Sequence, residues 1–195
     1  SPNSDLVKIL ASSTDRLEQF LLLAERITSI KAKHYSLELE ETRIVDLIKN
    51  SVAEIAPELE RNQQRVSYDL CPETHPFADS QLLSICVREI LHNAARHSPQ
   101  GTEITIRTRR DDDELSIEIS DQGGGFPDDV LRNLFQVFIR EDVGQDQSLG
   151  LNLALTKLVM DLHGGGAEAF NNPEGGATVR LTLKQAPTTV PSSSS

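Results

Sequence analysis

The sequence predicts an α+β protein, a two-layer α/β sandwich preceded by a long N-terminal bundle helix. Three observations lead there. Leu6, Leu10, Ser13, Leu17, Phe20, Ala24 and Ile27 follow one another at alternating spacings of four and three, the seam of helices that pack side by side. "TEITIRTRR" and "ELSIEISD" alternate apolar and polar residues around "DDD", as the strands of an antiparallel hairpin with one wet face do. Helical periodicity returns before and after these strands, so helices gather against one side of a mostly antiparallel sheet.

Each element can be justified in turn. Asp5 to Lys33 contains no Pro or Gly and reads as one helix whose seam needs a second copy or a companion helix as partner. Residues 1–36 thus form an appendage, and 37–184 the sandwich domain. After the extended piece "SLELEE", Ile44 to Leu59 is helical through Ile44, Leu47, Ile48, Val52 and Ile55. "RVSYDL" alternates as a strand. Asp79 to His97 is a helix, capped by Asp79 or Ser80 and stopped by Ser98-Pro99-Gln100-Gly101. Pro127 opens a short helix and Leu149 to His163 forms another. "GAEAFNNPEGGATVRLTL" reads as strand, Asn/Pro/Gly turn, strand. The tail 185–195, "QAPTTVPSSSS", is low in complexity and expected to be disordered.

Composition narrows the function. With 30 acidic against 19 basic residues the formal charge is −11, which gives nucleic-acid binding or adsorption to an anionic membrane no electrostatic support. Cys71 and Cys86 belong to no CxxC or Cys/His cluster and read as reduced thiols in a cytoplasmic setting. No apolar run reaches the ~18 residues that span a bilayer, and "SPNSDLVK" is no signal peptide. No direct membrane contact is expected of this chain, although a parent protein could be anchored elsewhere.

The chemistry concentrates in two stretches. In "REILHNAARHS" the helical period puts Glu89, Asn93 and Arg96 within one narrow arc, continuous with Leu82, Ile85 and Cys86. A carboxylate and an amide one turn apart on the side that should be buried call for a ligand or a partner. In "DQGGGFP" a carboxylate at a strand end, Asp121, is followed by Gly123 and Gly125, residues that permit positive φ and close approach of a ligand to the backbone. "SLGLNLAL" starts a helix with a small, Gly-containing loop, where free N–H groups favour an anion such as a phosphate. The P-loop and GxGxxG signatures are absent.

Taken in order, these pieces resemble the catalytic, ATP-binding domain of sensor histidine kinases, in the wider superfamily with the Bergerat fold. "EILHNAARHS" is similar to the N box, "DQGGGFP" to the G1 box, "LFQVF" to the F box, "SLGLNLAL" to the end of the G2 box, and "GGATVRLTL" to the last glycine pair and strand. The first helix resembles the second helix of a dimerisation and phosphotransfer bundle, which implies a homodimer through it. The resemblance implies ATP and Mg²⁺ as cofactors, with Asn93 on the metal and Glu89 orienting a metal water or acting as general base. It implies that Arg96, where the family usually has Lys, and His97 face phosphates or ribose, and that Asp121 accepts from the adenine amine. Gly123 and Gly125 would leave room for the base and a mobile lid. Ser148, Leu149, Gly150 and Thr178 would complete the nucleotide site. Phe135 and Phe138 match the aromatic pair beside the lid, and Arg140 stands within reach of a γ-phosphate or as a plain surface charge. His163 sits at a helix C-terminus, where a partial positive charge is favourable.

The pattern also breaks. Asp146 and Ser148 occupy two of the three usual G2 glycine positions, leaving Gly150, and a carboxylate at Asp146 would repel a triphosphate. No His is followed by Glu or Asp, so the family's phosphoacceptor must lie upstream or on another protein. The implied activity is that of a two-component histidine kinase acting toward a response regulator receiver domain. The alternatives are a non-catalytic interaction module of the same fold and an anti-sigma-factor type Ser/Thr kinase, which would need no bundle helix.

Overall fold

The computed structural model describes residues 37–72, 75–111, 113–136 and 148–184, with the backbone alone for 148–152. The seam helix, Phe138, Arg140, Asp146 and the 185–195 tail lie outside the described residues. The chain runs β1 (Glu40–Glu41), α1 (Ile44–Glu54), α2 (Ala56–Arg61), β2 (Arg65–Asp69), β3 (Phe77–Ala78), α3 (Ser80–His97), β4 (Glu103–Arg110), β5 (Glu114–Ser120), α4 (Asp128–Leu131), α5 (Ser148–Leu162), β6 (Gly166–Asn171) and β7 (Ala177–Lys184).

The main sheet has the order β2-β4-β5-β7-β6, antiparallel except where β2 lies parallel to β4. Strand alternation sends Ile104, Ile106, Leu115, Ile117, Ile119, Val179, Leu181 and Leu183 to one face. There they form a continuous core with Ile44 and Ile48 of α1, Leu83, Val87, Ile90 and Leu91 of α3, and Leu153, Val159 and Met160 of α5. The other face is polar. Glu118 accepts from Arg180 at 2.7 Å, Ser120 meets Thr178 at 2.8 Å, Ser67 donates to Thr105 at 3.1 Å, and Arg109 donates to Asp69 at 2.5 Å. This is the expected α+β sandwich, with the predicted hairpin in place as β4 and β5.

Two elements depart from expectation for physical reasons. The single helix read over Ile44 to Leu59 is two, because Pro57 lacks an N–H and its ring clashes with the carbonyl four residues back; Ile55 accordingly leaves helical geometry at φ −95°, ψ 3°. "SLELEE" contributes a two-residue strand, β1, that pairs Glu40 with Ala78 and Glu41 with Phe77. A pairing across that many intervening residues leaves no local pattern. The end of α5 follows expectation more closely: Gly165 N–H donates to Met160 O at 2.9 Å and Gly164 N–H to Asp161 O at 3.0 Å, the paired bonds of a Schellman stop.

His163 joins two helix ends. Its Nε2 accepts from the Asp79 N–H at 3.0 Å while Nδ1 faces Val159 O at 2.7 Å. A backbone N–H can only donate and a carbonyl can only accept. Nε2 is thus the acceptor and Nδ1 the donor, and the ring ties the end of α5 to the cap of α3.

Candidate functional site

The site is built around α3. Asp79 caps it: Oδ1 accepts from Leu82 N–H at 3.0 Å and Oδ2 from Glu38 N–H at 3.2 Å. A carboxylate cap satisfies the first-turn donors and suits the positive end of the helix dipole. From there α3 buries Leu83, Val87, Ile90, Leu91 and Ala94. Asn93 falls on the buried side at 8% exposure, and its Nδ2 has no hydrogen-bond partner among the described residues. One turn earlier Glu89 is half-buried. Cys86 is a turn before that, bonded to Thr156 of α5, and burial pushes its thiol up to about 12. It stays protonated at neutral pH and supplies no nucleophile. Arg96 and His97 are exposed in the last turn.

Against that last turn lies the turn that leaves β5. Asp121 donates its N–H to Ala177 O at 2.8 Å, and its Oδ1 accepts from Gly123 N–H at 2.8 Å and Ala177 N–H at 3.1 Å. Burial pushes the Asp121 carboxyl above its usual range, with those two N–H donors and the charge of His97 pulling the other way. Both of its bonds fall on Oδ1, so Oδ2 has no partner among the described residues. A desolvated carboxylate with a spare oxygen at a strand end is a functional-site signature.

Gly123 makes the contact between the two segments possible, because a Cβ there would collide with the backbone oxygen of His97. The sequence reading gave this glycine the task of leaving room for a ligand. The structure gives it a packing task, since the end of α3 already fills the space. Gly125 sits at φ +74°, where a side chain would be strained. Beyond it the Asn171 amide clamps Phe126, accepting from its N–H at 2.8 Å and donating to its carbonyl at 2.8 Å. The end of α3, the 121–126 turn and the β6–β7 turn are thus locked to one another.

Of the predicted residues, Glu89, Asn93, Arg96 and His97 share the C-terminal half of α3, and Asp121, Gly123 and Gly125 form the adjoining turn. Ser148, Leu149 and Gly150 lie in α5 at the point where the described residues resume. Thr178 is a correction. The period of two on β7 turns Ala177 and Val179 toward the helices and Thr178 away, where its hydroxyl donates to Asn172 Oδ1 at 2.7 Å and meets Ser120. The residue joined to Asp121 is Ala177. Phe135 packs partly buried against the core. Gln64 and Asn171 were missed because a lone amide beside a turn looks like a solvated side chain.

A half-buried carboxylate and an unpartnered buried amide on one helix, set against a turn with a desolvated carboxylate, define a binding domain for a polar ligand in a sandwich of this topology. The chain belongs to the family described as histidine kinase-, DNA gyrase B-, and HSP90-like ATPase, which matches residues 78–187. Over 93% of its length it is 29% identical to the signal transduction histidine-protein kinase AfsQ2 of Streptomyces coelicolor, of which it spans 33%. It is 30% identical to the sensor protein BasS of Salmonella typhimurium over 93% of its length, spanning 50% of that protein. Among solved structures, the mycobacterial sensor histidine kinase MprB superposes with a TM-score of 0.66 at 27% identity, covering 76% of this chain and 99% of that one. The histidine kinase AdeS of Acinetobacter baumannii superposes with a TM-score of 0.78 at 17% identity over 92% of this chain and 84% of that one, a likeness of fold. The chain spans half or less of the length of the two curated relatives. No described helix is long and apolar enough to cross a membrane.

Proposed function

We propose that this chain is the catalytic, ATP-binding portion of a two-component sensor histidine kinase, binding ATP between α3 and the 121–126 turn. The observation that carries the reading is the Asn93 amide, buried and with no partner for Nδ2 among the described residues, because an orphaned buried N–H2 is costly unless an acceptor such as a phosphate oxygen meets it, which leaves the amide oxygen for a cation. A hard divalent ion fits this donor set: an amide oxygen from Asn93 and a carboxylate from Glu89, one turn apart, leave most of the coordination shell to phosphates and water. Mg²⁺ there would supply charge neutralisation on the triphosphate. Asp121 would accept from the adenine amine through its unused Oδ2. Arg96 and His97, on the exposed last turn of α3, would hold phosphate or ribose, Arg96 by its bidentate fork. Ser148, Leu149 and Gly150 would add N–H donors at the start of α5. Thr178 enters this account only through its bonds on the far sheet face.

In this reading the γ-phosphoryl group passes from ATP to a His imidazole on a dimerisation helix outside this chain, and then to an Asp of a response regulator receiver domain. Catalysis in such transfers is mostly positioning and charge neutralisation. Residues 1–36 would be the second bundle helix, bringing two copies together, and 37–184 the catalytic domain, working on the cytoplasmic side. Titration with a fluorescent ATP analogue, with and without Mg²⁺, tests the binding: saturable, Mg²⁺-dependent binding is expected, and its absence at millimolar nucleotide would contradict it. Adding an acceptor-helix fragment and following radiolabel from ATP tests the chemistry. Acid-labile label on His is expected; label on Ser or Thr, or none, would overturn the kinase assignment.

A further inference from the structure

We infer that Gln64, in the turn between α2 and β2, is a positioning residue for the nucleotide site, holding the end of α3 against the Asp121 turn. The inference rests on the proposed ATP site and adds a residue to it. An α-helix leaves its last four carbonyls without intrahelical donors. Here Ser98 N–H satisfies Ala94 O at 3.1 Å, but Ser98 itself is extended at φ −91°, ψ 144°, so no left-handed cap folds back on the rest. The Gln64 side chain does that work from another segment. It is 7% exposed, and its Nε2 donates to Ala95 O at 2.9 Å, Ser98 O at 3.1 Å and Pro99 O at 3.3 Å, one N–H being shared. Asn62 Nδ2 adds a bond of 3.3 Å to Ala95 O. Three carbonyls converging on one nitrogen fix the amide's orientation, since the reverse flip would set oxygen against oxygen.

The consequence lies two residues from the gathered carbonyls. His97, between Ala95 and Ser98, presents the backbone oxygen that Gly123 packs against so closely that no Cβ would fit. Gly123 N–H is in turn one of the two donors on Asp121 Oδ1. The amide of Gln64 is therefore connected to Asp121 through one helix end and one backbone contact, and it sets the spacing between Asn93 and Asp121, the two groups that would hold opposite ends of the ligand. Gln64 touches no reacting atom; it acts through α3.

The test uses the whole 195-residue chain. Gln64→Met keeps the length and removes both donors; with two to three hydrogen bonds lost, affinity for a fluorescent ATP analogue should fall about tenfold in protein that circular dichroism shows folded. Gln64→Glu places an acceptor against three carbonyls and should bind more weakly still at pH 8, recovering toward wild type near pH 5, where a protonated carboxyl can donate. A role in stability alone would not produce that recovery in folded protein. Hydrogen exchange at the Gly123 amide, read by NMR without nucleotide, should quicken about tenfold in Gln64→Met. Should Gln64→Met not fold, the Gln64→Glu protein compared at the two pH values gives the same comparison. Unchanged affinity together with unchanged Gly123 exchange would overturn the inference. If wild type binds no nucleotide, the ATP reading falls, and the Gly123 exchange rate decides for or against Gln64 by itself.

Discussion

Asp79 and Asn93 lie on the same helix about four turns apart, both polar and both buried, at 2% and 8% exposure. Asp79 has each carboxylate oxygen on a backbone N–H and its own N–H on His163. Asn93 leaves its Nδ2 with none among the described residues. One of the two side chains is thus satisfied by protein groups, and the other keeps an unmet donor among the described residues. The difference teaches how to separate a buried polar group that holds a fold together from one kept for a ligand: the first has its hydrogen bonds made internally, and the second carries an unmet bond that the fold tolerates.

Substitutions at the two residues should part company. Asn93→Ala should weaken Mg²⁺-dependent nucleotide binding by at least about a hundredfold, or ~3 kcal/mol, while stability to urea moves by less than about 1 kcal/mol. Asp79→Ala should do the opposite. Losing the cap and orphaning the Glu38 N–H should cost about 2.5 kcal/mol in urea unfolding, with affinity of the folded fraction changing less than threefold. Equal effects of the two on both readouts would erase the distinction.

Asp121 combines both characters, since Oδ1 is internally bonded and Oδ2 has no partner among the described residues. Asp121→Asn keeps an oxygen for Gly123 and Ala177 N–H but replaces an acceptor by a donor, and should weaken binding about thirtyfold, ~2 kcal/mol. Its effect on stability has a defined sign. The folded carboxyl titrates above its unfolded value, so the native state holds the proton longer, and stability declines as pH rises from the usual carboxylate range through the raised folded value. The Asn variant lacks that decline. Its advantage over wild type should appear above this window and vanish below it, as urea titrations at pH 3.5 and 7 would show. The smallest effect is expected on the far sheet face, where Arg109 and Asp69 are each 56% exposed in their side chains. Arg109→Ala should leave the melting temperature and nucleotide binding essentially unchanged.

Much of this was legible in the sequence where the determining interactions are local. The helix read over Asp79 to His97 is α3 with Asp79 as its cap, and the β4–β5 hairpin and the β6–β7 pair came from alternation and turn residues. The grouping of Asn93 and Glu89 followed from helical period alone. What did not show was set by distant partners: the parallel pairing of β2 with β4, the ribbon joining Glu40 to Ala78, and the reach of Gln64 to Ala95. Thr178 was misplaced by one residue, and in a strand one residue is the whole distance between faces. Gly123 read as room for a ligand, whereas the backbone oxygen of His97, brought there from another segment, occupies the place of its missing Cβ.

The most direct test of the central claim is the side-chain amide signal of Asn93 in a ¹⁵N NMR titration with ATP in the presence and absence of Mg²⁺. Binding at this site predicts a large, saturable shift of that signal with Mg²⁺ and ATP together, accompanied by Gly123. Saturable nucleotide binding that leaves the Asn93 amide unmoved would contradict it.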